Sequence, residues 1–543
     1  MKFILPTILF LLIMNSCNTK KEKADLIVHN ANVYTVDSSF SKAEAFAVKD
    51  GKFLAVGKND DILSKYESDS IVDAGGKAIY PGFFDAHCHF LSYGKTFNDA
   101  DLTGSQSFKE VVRRIVAHSK KTKSTWIKGR GWDQNLWEQK VFPTKDTLDK
   151  LFPKTPILLT RIDGHAAIAN QAALDKAGIT ADTKVNGGEV EIKNGQPTGI
   201  LLDNAIDLVK NKIPRTTKAE KTEALLRAQK ECFAVGLTTV DDAGLSKDEV
   251  LLIDELQKAG KLQMRIYAML DPTEENFSYF ATKGPYLTDQ LSVRSFKFYA
   301  DGALGSRGAL LTEPYSDSKT KGIQIEKKEY YQKMAKRCYD AGFQMNTHCI
   351  GDAANKLMLD VYGEILKGIN AKRWRIEHAQ IVNPEDVKLF SKYSIIPSVQ
   401  PTHATSDMRW AEDRVGKKRI DWAYAYLSLL KQNKMIAFGS DFPIEKINPL
   451  LGFFAATARQ DAKGFPKDGF LPLQKITRED ALRAMTIWAA FSNFEEKTKG
   501  SIEAGKWADF VMLDKDIMQI DIKEIPATNV LMTVVSGKTL FKK

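Results

Sequence analysis

Ser292–Gly302 reads SVRSFKFYADG. Aromatic and apolar residues alternate with polar ones as far as Asp301-Gly302, a turn signal, so the run predicts a β-strand that ends there. Lys297 falls inside this strand. A buried amine without a partner is costly, so the lysine must be neutralised, paired, chemically modified or turned toward water. Seven other apolar runs have the same form: GFFDAHCHF (82–90), GLTTVDDAG (236–244), MRIYAML (264–270), FQMNTHCIGD (343–352), WRIEHAQ (374–380), SIIPSVQPTH (394–403) and MIAFGSDFP (435–443). Segments with helical periodicity separate them, such as 217–235 and 327–341. Strand-helix alternation repeated eight times predicts a (β/α)8 TIM-type barrel, whose chemistry lies at the C-terminal ends of the strands.

Outside this core the style of the sequence changes. Residues 26–82 and 499–541 carry short alternating strands with turns between them, including the hairpin signal Asp50-Gly51. These ends predict one small β-sandwich domain built from 25–81 and 500–543, flanking a barrel at 82–499. A long insertion, about 91–214, follows the first barrel strand. Its Trp-, Gly- and Asp-rich runs WIKGRGWDQNLW and PILLTRIDGHAAIAN and its hairpin NGGEVEIKNGQPTG suit either a cover over the barrel mouth or a structural embellishment.

At the N-terminus, Met1-Lys2 and the apolar run 3–14 are placed like a secretory signal, too short to span a bilayer comfortably. MNSC (14–17) resembles a bacterial lipobox, which implies lipidation of Cys17, a polar tether over 18–24, and an exported protein held at a membrane by its lipid alone. The other four cysteines, Cys88, Cys232, Cys338 and Cys349, lack CxxC spacing and read as buried small hydrophobes. A net charge of +10, spread as scattered lysines in a chain 43% hydrophobic and 27% charged, is that of an ordinary globular protein and gives no support for a nucleic-acid partner.

Four histidines mark the strand ends. His87 and His89 are two apart, so a strand turns both imidazoles to one side, with Cys88 opposite. His348, His378 and Asp441 each close a later run. Any one of them alone reads as a satisfied structural residue; together with Lys297, at matching ends of one barrel, they read as a metal site. His29 and His118, in the β-rich end and a helical stretch, read as non-catalytic.

PGFFDAHCHF, FYADGALGSR, HCIGD, IEHAQ, SVQPTH and GSDFP, in this order, resemble the metal-dependent amidohydrolase superfamily. The branch they resemble is that of N-substituted formamide deformylases, over essentially the whole chain after the N-terminal segment. The resemblance implies two divalent metal ions, zinc by default. His87 and His89 would hold one, His348 and His378 the other, and Lys297 would bridge them as a carbamate. Asp441 would contact the first metal and move protons between an attacking water and a leaving nitrogen. His165 and His403 resemble substrate-contacting or carbonyl-polarising positions; Asp301 and Arg307 would order the loop or bind substrate. The implied reaction is hydrolysis of a non-peptide carbon–nitrogen bond in a small amide, an N-formyl or N-acyl amine, with a homodimer as an open assembly state. Cyclic-amide hydrolysis and deamination are the alternatives within the superfamily, although mononuclear deaminases generally dispense with the lysine. A catalytically inactive, lipid-anchored binding protein is the alternative outside it.

Overall fold

The eight apolar runs form one parallel sheet in sequence order. In the computed structural model, which describes residues 20–121, 125–368 and 370–543, they are β1 (Phe83–Cys88), β2 (Leu237–Leu245), β3 (Arg265–Leu270), β4 (Leu291–Tyr299), β5 (Gln344–Cys349), β6 (Arg375–His378), β7 (Ile396–Val399) and β8 (Ala437–Phe438). The lipobox Cys17 lies outside the described residues. Strands β1, β3, β5 and β6 are buried along their whole length, the pattern of parallel strands covered on both faces. Closure is made by main-chain bonds between the segment after β8 and β1: Asp441 N–H donates to His87 O at 2.7 Å and His89 N–H to Phe442 O at 2.8 Å. Gly439 permits that approach, since a Cβ there would lie 2.5 Å from His87 N. The barrel is thus drawn shut at the point where its histidines and Asp441 emerge.

Helices α1 (Lys218–Ala234), α2 (Lys247–Lys258), α3 (Lys328–Ala341) and α4 (Asp352–Leu366) are among those packed round the barrel. Both α1 and α2 begin with reciprocal capping boxes, Thr217 with Glu220 and Ser246 with Glu249. Below the mouth the interior carries a buried polar network. Arg375 donates to Asp241 (2.9 Å), Ala86 O (3.2 Å) and Ser492 (3.2 Å), while Asn493 donates to the other Asp241 oxygen at 2.6 Å.

Both chain ends supply the β-sandwich. A four-stranded sheet from residues 26–73 faces a six-stranded sheet that joins strands near residues 32–81 to the C-terminal strands Phe510–Leu513, Val530–Val535 and Lys538–Lys542. Phe46, Phe53 and Phe510 pack edge-on or tilted between the sheets. Asp50 and Gly51 both take positive φ (51° and 74°), as the hairpin signal requires. Arg265 of β3 fastens the sandwich to the barrel through a two-pronged bond to Asp509 (2.6 and 3.0 Å).

The insertion after β1 contains a six-stranded mixed sheet spanning Ala100–Asp203, with hydrophobic clusters such as those around Leu159 and Leu158. Its expected hairpin, Gly188–Lys193 with Gln196–Asp203, turns at Asn194-Gly195 with φ 53° and 73°. Lys95, near the start of the insertion, and Lys221, just after it, both reach Glu249 Oε1 of α2 at 3.1 Å. The two stems are thereby held to one barrel helix.

Candidate metal centre

His87 is fully buried, and its Nδ1 lies 2.6 Å from Glu377 Oε2. That bond fixes the ring and leaves Nε2 toward the cavity, 3.7 Å from Asp441 Oδ1. His89 is fixed likewise by Ala243 O at 3.0 Å, and His378 by Gln400 Oε1 at 2.7 Å. His348 is turned the other way: its Nε2 lies 3.4 Å from Gly302 O, which leaves Nδ1 as its free nitrogen. The His378 ring is 4.8 Å from that of His87 and 4.6 Å from that of His348.

Two positive φ angles assemble this group. Alternation along β6 would send Glu377 and His378 to opposite faces, yet His378 has φ 74° and turns back over the mouth while Glu377 stays within reach of His87. Asp441, with φ 61°, is bent from the end of β8 in the same way. Non-glycine residues adopt this region uncommonly, so the surrounding structure holds both in place.

Electrostatics prepares the ligands. Burial, with the Lys297 charge nearby, pushes His87 down to about 4 despite Glu377. Burial also holds His348 and His378 well below the usual histidine range. All three are therefore neutral near pH 7, the form that binds a metal. Burial alone would raise Asp441, but the imidazoles of His403 and His89 hold it well below the carboxylate range.

The donor set fits a divalent ion. One donor atom each from His87, His378 and Asp441 lie within 4.8 Å of one another, and Asp441 Oδ1 is buried without a hydrogen bond although His89 Nε2 comes within 3.3 Å. Lys297 is 1% exposed. Its amine lies 3.1 Å from His87 Nε2 and 4.7 Å from the centre of the Tyr299 ring, and it forms no ion pair among the described residues. Burial lowers its pKa.

These groups open into a cavity of about 800 Å³ between the barrel mouth and the insertion. His165 and His403 line it too. His165 Nδ1 is held by Asp203 at 2.7 Å. His403 lies on the short helix Pro401–Asp407 after β7, with Nε2 3.4 Å from Asp441 Oδ2 and Nδ1 3.1 Å from Glu445. Burial would depress His403, but Asp441 and Glu445 outweigh it and raise it to about 10, so the ring is cationic.

Asp301 and Arg307 do not line the cavity, but Asp301 Oδ1 lies 3.5 Å from His348 Nε2. Asp301 is fully buried and accepts the N–H groups of Leu310, Ile350 and Gly351 at 2.8–3.0 Å, organising the loops after β4 and β5. Arg307 pairs with Asp317 at 2.8 Å. His29 lies in the sandwich and His118 on a helix of the insertion, both away from the cavity. The four cysteines are buried free thiols.

Sequence reading passed over Glu377, Gln400 and Asp203. The first two sit inside quoted motifs, beside His378 and in SVQPTH. Their partners are remote in sequence, and the only signal available was an acid or amide in an otherwise apolar run.

Comparison with known proteins gives concordant results. A family model described as "Amidohydrolase family" matches residues 70–541. The chain is 33% identical to Protein LONG AFTER FAR-RED 3 of Arabidopsis thaliana, over 95% of this chain and 92% of that one. It is 28% identical to the N-substituted formamide deformylase of Arthrobacter pascens, over 96% and 98%. Among solved structures, an uncharacterized metal-dependent hydrolase from Pyrococcus horikoshii OT3 superposes with a TM-score of 0.75 at 27% identity, covering 92% of this chain and 99% of that one.

Proposed function

The chain belongs to the amidohydrolase family, and we propose that it hydrolyses a non-peptide carbon–nitrogen bond in a small amide, an N-formyl or N-acyl amine. The observation that carries this reading is the convergence at the barrel mouth of three neutral, buried imidazoles, a carboxylate oxygen without a hydrogen bond and a buried amine without an ion pair among the described residues. Similarity to a formamide deformylase along nearly the whole chain supports the choice of bond.

His87, His89 and Asp441 would hold one metal ion and His348 and His378 another, with zinc the default for imidazole and oxygen donors. Bound there, such ions supply Lewis acidity toward the amide carbonyl and lower the pKa of water. Lys297 would serve both as a carbamate. Its neutral amine adds to carbon dioxide, a nitrogen–carbon bond forms, one proton leaves, and the product is an anion with two donor oxygens. A buried amine lacking any ion pair suits that modification, because the carbamate removes an unfavourable buried cation and would supply two oxygens to the metal ions held there.

Asp441 would take the proton of the attacking water and hand it to the leaving nitrogen. His403, cationic and 3.4 Å from Asp441, keeps that carboxylate oriented, and His165, fixed by Asp203, offers a donor on the insertion side of the cavity for a developing oxyanion. The Cys17 lipobox further supports export and anchoring to a bacterial membrane through lipid.

The test is a hydrolysis screen of metal-loaded protein against N-formyl amines, N-acyl amines and cyclic amides. Release of amine from the first two is expected. Activity confined to cyclic amides, or to release of ammonia from a heterocycle, overturns the reading.

A further inference from the structure

Arg130 projects from the insertion strand Ile127–Trp132 into the same cavity, between two glycines. Gly131 (φ 107°) lets that strand approach Thr103, where a Cβ would lie 2.4 Å from the hydroxyl oxygen. The guanidinium is underused. Nη2 donates to Ile162 O at 3.0 Å, Nε is buried without a partner, and no ion pair forms among the described residues. A guanidinium offers five donors in a planar fork.

Neighbouring arginines are ion-paired by contrast. Arg161 is held by Gln134, Asp133 and Asp163, and Arg414 by Asp317 and Asn135. Two carboxylates that act on Arg130 are committed elsewhere, Asp163 to Arg161 at 2.6 Å and Asp99 to Lys128 at 2.7 Å. Burial lowers the Arg130 pKa, and the carboxylate that most offsets this is Asp441 of the reaction centre, ahead of Asp163 and Asp99. The unpaired cation therefore stands within electrostatic reach of the site where the amide would be cleaved.

We infer that Arg130 receives a carboxylate carried by the substrate, so that the insertion selects amides bearing a single negative charge. This rests on the hydrolase reading for the word amide, and on the cavity alone for the charge. A planar two-oxygen anion matches the guanidinium fork, and one guanidinium with acidic neighbours suits a monoanion better than a phosphate dianion.

The test uses binding, so that it does not depend on turnover. The probes are 3-benzoylpropionate, a ketone acid with no scissile amide, and butyrophenone, which lacks the carboxylate. Calorimetry on the metal-loaded full chain should give at least about tenfold tighter binding of the acid, and Arg130→Gln should bring the ratio near one. Arg130→Lys, which keeps the charge but not the fork, should fall between. A ratio near one in the unaltered protein, no binding of the acid, a preference that survives in Arg130→Gln, or tighter binding of inorganic phosphate than of the ketone acid would each overturn the inference. Hydrolysis of neutral amides with no Arg130-dependent preference would overturn it while leaving the hydrolase reading intact. Arg130-dependent binding of the acid with no amide cleaved would do the reverse.

Discussion

Glu377→Gln tests metal chemistry and fold stability together, because each can be measured in its own assay. The carboxylate accepts from His87 Nδ1 at 2.6 Å, and both residues are fully buried. Glutamine keeps an oxygen in the same place and removes the charge. A hydrogen bond to a charged group contributes roughly 1.5–3 kcal/mol against about 0.5–1.5 for a neutral one, so the loss is about 1–1.5 kcal/mol. That is close to tenfold in metal affinity, at the lower end of the roughly 10–100-fold loss typical of partners that orient a ligating histidine. The metal-free chain loses the same hydrogen-bond increment and the Arg375 Nε–Glu377 Oε1 pairing at 3.6 Å, so it should be destabilised by about 1–1.5 kcal/mol. Burial works against the Glu377 charge, which persists because His87 and Arg375 outweigh that cost, and Arg375 keeps Asp241 at 2.9 Å after the substitution. Chelator competition would measure metal affinity, and urea unfolding of metal-stripped protein would measure stability. Metal affinity within twofold of the parent would refute the orienting role. Destabilisation of the stripped protein by about 3 kcal/mol or more would identify Glu377 as the structural counter-ion of Arg375 instead.

Lys297→Ala should lower metal content below two ions per chain and abolish activity; elemental analysis showing two ions retained would refute the bridging role. Glu249, pushed up by burial but held down to about 2 by Lys95 and Lys221, contributes stability that is full above the ordinary glutamate range and is lost as pH falls toward 2. Glu249→Gln should therefore destabilise the protein at pH 7 and flatten the acid limb of its stability curve, and unfolding curves that keep the parent's acid limb would refute this. Cys17→Ser should move the protein from the membrane fraction to the soluble one; an unchanged distribution would refute lipid anchoring.

The barrel was legible in the sequence because parallel strands buried on both faces leave long apolar runs, and eight such runs, six of them carrying a candidate His, Lys or Asp, are hard to produce otherwise. His87 and His89 declared their shared direction by spacing alone. His378 and Asp441 did not, because their directions depend on positive φ, which no residue type there announces. Glu377 was hidden for a related reason: strand alternation places it opposite His378, and only the turn at His378 lets both serve one centre. Asp301 shows the converse limit. Its position beside Lys297 suggested a part at the site, but an acid at a strand end can equally gather loop N–H groups, and three of them lie within 3.0 Å of it.

The insertion was the least legible part, and the reason bears on function. Its Trp, Gly and Asp content suited either a cover or an embellishment, and the structure gives it both parts. Leu158 and Leu159 belong to hydrophobic clusters of its own, while Arg130, Arg161 and His165 on or beside its central strands face the barrel mouth. A sheet with its own core can be rigid without help from the barrel, and residues that position a substrate need such rigidity. The two stems meet at Glu249, so the sheet is tied to the same α2 helix at entry and exit. Under the proposed function this divides the labour. Barrel strands fix the neutral imidazoles and Asp441, which set what bond is broken, and the inserted sheet presents the cation and the His165–Asp203 pair, which set what molecule is held. Substitutions at the barrel ends should then depress turnover on every amide, whereas substitutions at Arg130 should redistribute activity among amides according to their charge.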